Sequence, residues 1–184
     1  MTVAMLLANG FETAEALVPL DILKRGGVAV TLCGVTGEYV TSSHGVTVNT
    51  DIPADRLDDF DMLLLPGGAA GVNNLYTDEK AQNAVRRAAS EDKWLAAICA
   101  APLLPARAGL LHGKNAVCHP SVQDELRELG VLVQSGEHVV LSGNIITARA
   151  VGSSFEFGFA CLAALCGLPA AQQAREAMLW GKAT

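Results

Sequence analysis

The sequence predicts an α/β domain with a mostly parallel central sheet. Two observations point there. Short apolar runs bounded by turn residues alternate with amphipathic stretches along the whole chain. The runs read as strands buried on both faces, and the amphipathic stretches as crossover helices, which makes βαβ units with right-handed connections. Size agrees. A chain of 184 residues and 19.1 kDa fits one domain, residues 1–184. Such a chain hides roughly 70% of its unfolded surface, enough for a core without disulfides or a structural metal. At 51% hydrophobic and 17% charged residues it is too apolar for disorder.

The elements follow in order. Thr2–Ala8 is a first strand. Glu12–Arg25 is a helix with Ala14, Leu17, Val18 and Ile22 on one face, stopping at Gly26-Gly27. Pro19 inside it predicts a kink. Val28–Val35 is β-branched and strand-like. Tyr39-Val40 and Val46-Thr47-Val48 make a hairpin around His44-Gly45. Met62–Leu65 is a buried strand ending at Pro66-Gly67-Gly68, and Thr77–Ser90 one polar amphipathic helix. Trp94–Ile98 is a strand and Ala100–Leu111 a helix. Ala116–His119 is a short strand, Ser121–Leu129 a charged helix, and Val139–Ala148 a hairpin around Ser142-Gly143-Asn144. Ser153–Cys166 and Ala170–Trp180 are closing helices.

Charge narrows the partners. Lys and Arg number 13 against 19 Asp and Glu, for a net charge of −6 and a pI of about 5.1. Without a basic cluster there is no phosphate-neutralising surface, so neither nucleic acid nor an anionic membrane is expected as a partner. No apolar run approaches the roughly 20 residues of a membrane span. The N-terminus has no basic segment and reads as a strand rather than a signal peptide. Five cysteines, an odd number with no CxxC pair, suit a reducing cytoplasm.

In open parallel sheets ligands sit beyond the carboxyl ends of strands, so chemistry is sought there. Asn9-Gly10-Phe11-Glu12-Thr13-Ala14-Glu15 follows the first strand and is not a dinucleotide loop. Glu12 and Glu15 share a helix face; they compensate the helix dipole, or one of them points over the sheet's end. Pro66-Gly67-Gly68 is a tight turn or a nest of amides for an anion. Cys99 stands between the Trp94–Ile98 strand and a helix, where a nucleophile elbow would stand. A helix N-terminus there is expected to lower its pKa, while a Cys among apolar residues also reads as core. His119 follows the Ala116–Val117 strand, expected on the same sheet edge, where it would pair with Cys99. His44, His112 and His138 fall in turns with no assigned role. Cys33, Cys161 and Cys166 read as core, and no metal-ligand spacing is present.

Together these pieces resemble the ThiJ/PfpI superfamily, in the branch of the parkinsonism-associated protein deglycase. The matching segments are Gly10–Glu15, Leu64-Leu65-Pro66-Gly67-Gly68, Ala96–Pro102, His119-Pro120 and Ser153-Ser154-Phe155-Glu156-Phe157, in the family's order and across nearly the whole chain. The resemblance implies a flavodoxin-like three-layer sandwich and a homodimer. It gives Cys99 the reactive-cysteine role, Glu15 that of a protonated carboxyl bonded to the sulfur, and His119 that of the nearby histidine. The amides of Gly68 and Ala100, with Gly67 beside them, take the oxyanion-binding position. Three departures stand out. Ala100 replaces the histidine of the protease-like branch, which argues against peptidase activity. Ala150-Val151-Gly152 replaces a Gly-Pro-Gly-like turn after Arg149, and His44 stands where related chains have Arg. The last two bear on the pocket rim or the dimer contact.

The expected activity is that of a cofactor-independent enzyme for small reactive carbonyls, of glyoxalase or deglycase type. Cys99 adds to the aldehyde, Glu15 moves the proton and the amides of Gly68 and Ala100 hold the oxyanion. The alternative expectation is a cysteine-based oxidation sensor or holdase chaperone with little catalysis.

Overall fold

The computed structural model describes residues 1–57 and 59–181. In chain order the strands are β1 (Thr2–Leu7), β2 (Ala29–Gly34), β3 (Tyr39–Thr41), β4 (Thr47–Asn49), β5 (Ile52–Pro53), β6 (Met62–Leu65), β7 (Trp94–Ile98), β8 (Asn115–Ala116), β9 (Leu132–Val133), β10 (Val139–Ser142) and β11 (Ile145–Ala148). The helices are α1 (Thr13–Arg25), α2 (Ala69–Thr77), α3 (Glu79–Ser90), α4 (Leu103–Arg107), α5 (Gln123–Glu128), α6 (Ser154–Cys166) and α7 (Leu168–Ala177).

The main sheet has the order β10-β11-β7-β6-β1-β2-β5. Every pairing in it is parallel except β10 with β11. Side-chain alternation divides the core between its two faces. Ala4, Leu6, Leu63, Leu65, Leu95 and Ala97 point to one side and pack with α2, α3, α4 and α5. Val3, Met5, Leu7, Met62, Leu64, Ala96 and Ile98 point to the other and pack with α1, α6 and α7. This is the expected three-layer sandwich. The chain runs outward from β1 to β2 on one side and returns to β6 on the other. The strand order therefore reverses between β1 and β6, and a crevice opens at their carboxyl ends.

Several local expectations differ from the structure. The span expected as one helix over Thr77–Ser90 is the second of two. Asp78 ends α2 and caps α3 through its carboxylate, which accepts from the Ala81 amide at 2.9 Å. α2, starting straight after Gly68, has only a weak sequence signal because Gly71 and two asparagines interrupt it. The Ala100–Leu111 helix shortens to Leu103–Arg107, flanked by turns. The strand expected at Ala116–His119 is only Asn115–Ala116. It pairs with β9 in a separate two-stranded sheet and does not join the main one.

Helices α1 and α6 cross where Gly158 has no side chain. A Cβ there would lie 2.6 Å from the Ile22 Cδ1 and 3.1 Å from the Pro19 Cα. Pro19 contributes backbone to this contact, which cannot swing aside. Gly158→Val is expected to overpack the crossing at a cost of about 1–3 kcal/mol. The readout is a lower urea midpoint at an unchanged slope; an unshifted midpoint would show that the crossing has slack.

Candidate active site

Three loops converge in the crevice. The loop after β1 is tied to the loop after β6 by the Glu12 amide, which donates to the Gly67 carbonyl at 2.9 Å, and by the Gly71 amide, which donates to the Gly10 carbonyl at 3.2 Å. Gly68 has φ +94°, a conformation that favours glycine. A Cβ on it would strike the backbone of Gly10, Phe11 and Glu12. Gly67 is required for a different reason. A Cβ there would collide with the Glu15 carboxylate and come within 2.5 Å of the Cys99 Cβ. The absent side chain at 67 is the space in which acid and thiol meet.

Cys99 ends β7 with φ +67°, the left-handed region that L side chains rarely adopt. That conformation costs about 1–3 kcal/mol and is held from both sides. The Cys99 amide donates to the Ala148 carbonyl at 2.9 Å, and its carbonyl accepts from the His119 amide at 2.8 Å. The elbow expected between a strand and a helix is instead a junction of β7 with a turn, and α4 begins only at Leu103. The Cys99 sulfur hydrogen-bonds the Glu15 carboxyl and faces the amides of Gly68 and Ala100. Glu15 is 1% exposed, and its Oε2 accepts from the Gly67 amide at 3.1 Å. The Gly67 amide is thus spent on Glu15, whereas those of Gly68 and Ala100 face the sulfur.

Burial overturns one expectation here. Removal from water, then the charge and hydrogen bond of Glu15, push the Cys99 thiol up to about 12, against the smaller opposing effect of the Gly68 and Ala100 amides. A helix N-terminus does not lower it, because α4 is one short turn that begins four residues later. Burial also raises Glu15 to about 7. Its hydrogen bond to Cys99 opposes that rise, the Glu12 charge adds to it and the Gly67 amide opposes it. Acid and thiol titrate as a pair. Near neutral pH the pair gives up one proton, that of Glu15, while the thiol holds its own.

His119 reaches this site by a route other than the one expected. It is carried on the small β8–β9 sheet, not on the edge of the main one. The segment is fastened by the Val117 amide, which donates to the Thr147 Oγ1 at 3.0 Å, and by the His119–Cys99 main-chain bond. Its Nδ1 lies 2.8 Å from the Ser121 Oγ and accepts from the Ser121 amide at 3.2 Å. The ring shares a cavity of about 290 Å³ with Cys99, Glu15, Gly68 and Ala100.

Glu12, Ala69, Ser121, Ala150 and Val151 also line the cavity. His44, the departure expected at the pocket rim or the dimer contact, stands at the rim beside Glu12. Its Nδ1 lies 3.5 Å from the Glu12 Oε1, and Ser43 Oγ donates to the other Glu12 oxygen at 3.1 Å. The β3–β4 hairpin brings it there, pinned by the Ser43 amide to the Phe11 carbonyl. Spacing from Glu12 gives no hint of this contact, because a long-range turn creates it. Of the three cysteines read as core, Cys33 and Cys161 are buried but Cys166 is exposed at the end of α6. Among the described residues no group of His, Cys, Asp or Glu could hold a metal ion, and no helix is long and apolar enough to cross a membrane.

Fold and site together define a flavodoxin-like α/β domain with a carboxyl–thiol pair at the crevice between strand ends. The chain belongs to the DJ-1/PfpI family, whose model matches residues 1–164. It is 34% identical to DJ-1alpha of Drosophila melanogaster over 180 residues, 96% of this chain and 82% of that one. It is 34% identical to a deglycase of Pyrococcus abyssi over 157 residues, 84% and 93% of the two chains. The crystal structure of Drosophila melanogaster DJ-1beta superposes with a TM-score of 0.94 at 31% identity, covering 98% of both chains.

The Glu15 environment has a consequence for stability. The unfolded chain loses this proton near 4.5, whereas the folded chain keeps it to about 7. The contribution is therefore fully present below pH 4.5 and is lost as pH rises to about 7. The loss is roughly 3 kcal/mol. Glu15→Gln is expected to remove that fall. Urea midpoints of wild type and variant at pH 5 and pH 8 measure it, with the variant gaining on the wild type at the higher pH. A constant difference between the two proteins would mean that Glu15 ionises as easily folded as unfolded.

Proposed function

We propose that this protein is a cofactor-independent enzyme that converts small reactive carbonyl compounds into hydroxy acids, the glyoxalase or deglycase reaction, with Cys99 as nucleophile. The observation that supports it is a sulfur hydrogen-bonded to a buried carboxyl group, whose pKa burial raises to about 7. A general acid–base catalyst works best with a pKa near the operating pH. The archaeal relative named a deglycase supports the same reading.

Methylglyoxal is the simplest such substrate. The Cys99 sulfur adds to the aldehyde carbon while its proton passes to Glu15, which returns it to the carbonyl oxygen, giving a hemithioacetal. The amides of Gly68 and Ala100 stabilise the oxyanion during addition. Glu15 then takes the proton from the former aldehyde carbon and delivers it to the adjacent carbon, while the hydroxyl proton passes to the neighbouring oxygen, leaving the thioester of a hydroxy acid. Water cleaves it, releasing lactate and restoring the thiol. His119, fixed by Ser121, orients the substrate. The lining includes two carboxylates, Glu12 and Glu15, and among the described residues no Lys or Arg. An uncharged dicarbonyl is thus the preferred substrate class, and the anionic product is repelled from the pocket.

Purified protein without glutathione, followed by NMR on methylglyoxal, is expected to form lactate. Cys99→Ser should form none, and Glu15→Gln should be slower by roughly 10²-fold or more. Near-normal turnover by either variant would overturn the residue roles. Absence of lactate from the wild type would overturn the reaction.

A further inference from the structure

A second cavity, on a different part of the molecule, has the make-up of a ligand site. It is a groove of about 730 Å³ between the edge strand β10 and helices α6 and α7. It shares no lining residue with the thiol cavity. Its floor is Trp94, Val139, Ala160, Ala163 and Ala164, and its rim includes Leu141 and Leu168, which are 62% and 77% exposed. The alanines matter: with Ala171 on α7 added to the three on α6, four short side chains on two helices leave a trough where larger residues would close the gap.

One cation faces this trough. The Arg175 guanidinium lies 4.9 Å from the ring centroids of both Phe159 and Trp180. Two aromatic faces desolvate it and fix its plane. Its Nε is buried without a hydrogen-bond partner. Among the described residues no carboxylate lies within ion-pair distance of it. The one acid lining the groove, Glu156, sits instead 3.9 Å from His138 Nδ1. A half-buried guanidinium without a counter-ion, beside an apolar trough, lacks a partner it is built to take.

We propose that this groove binds an amphiphilic carboxylate, its unbranched apolar tail along the alanine floor and its headgroup on the terminal N–H groups of Arg175. The volume lies within the range of small-molecule sites, and the pattern of an apolar lining with a single orienting charge is theirs too. The inference is independent of the thiol chemistry. It requires only that the groove and its cation be open to solvent.

The chain's two tryptophans are both at the site, Trp94 in the floor and Trp180 stacked on Arg175. Intrinsic fluorescence therefore reads occupancy directly. Decanoate, titrated below its micelle concentration, is expected to give a saturable change, with decanol as the uncharged comparison. Arg175→Gln should weaken decanoate by about tenfold or more, the size of a lost charge-assisted hydrogen bond, and leave decanol unaffected. Ala163→Phe, which fills the trough without touching Arg175, should abolish both signals. Cys99→Ser should bind as the wild type does. The proposal is overturned by the absence of a saturable signal, by equal binding of decanoate to wild type and Arg175→Gln, or by loss of binding in Cys99→Ser. It is also overturned if sedimentation shows a dimer that Leu168→Glu dissociates, since a second copy would then cover the groove.

Discussion

Everything at the site depends on one steric fact: residue 67 has no side chain. The ends of β1, β6 and β7 can approach only because Gly67 leaves room for the Glu15 carboxylate on one side and the Cys99 Cβ on the other. A substituent there would force acid and thiol apart, and with them the loops that carry them. The close approach also uses the Gly67 amide, which holds Glu15 in place. The same atoms that permit the contact therefore fix its geometry.

Around that junction the fold works against the ordinary preferences of its residues. A carboxyl group sits almost wholly out of water, and a cysteine adopts a left-handed backbone. Both cost free energy, and both are sustained by the sheet behind them. β11 holds Cys99 through its amide, and the His119 segment holds it through its carbonyl. Burial raises both members of the pair, so each holds its proton to a higher pH than it would in water. The rigid sandwich prevents the relaxation that would let either group reach solvent alone. Local strain at strand ends is tolerated because the two hydrophobic layers, one on each face, supply the bulk of the stability.

Much of this was legible in the chain. Strands β1, β6 and β7 announce themselves by continuous apolar runs, since parallel strands are buried on both faces. The elbow at Cys99 and the glycine pair at 67 and 68 follow from their places after such runs. Other features were hidden for identifiable reasons. Helix α2 has a glycine and two asparagines in its first two turns, so propensity hides it and packing forms it. His119 looked like the end of a main-sheet strand because two residues cannot reveal which sheet they will join. Cys166 carries the same local pattern as Cys161, but it falls on the outer face at the end of α6.

By itself the sequence determined the alternation of strands and helices, the three-layer class and the residue types gathered at the strand ends. Those properties are encoded in periodicity and turn chemistry, which act over a few residues. The tertiary structure alone decided that Gly67 serves as a spacer, that His44 meets Glu12 across a hairpin, and that the Cys99 thiol is pushed up rather than down. The reason is physical. A short helix's dipole acts locally and can be read from neighbours, whereas desolvation depends on which distant segments close over a group. Here those segments come from the loop after β6, the loop before α1 and the turn after β11, up to 87 residues from the sulfur they bury.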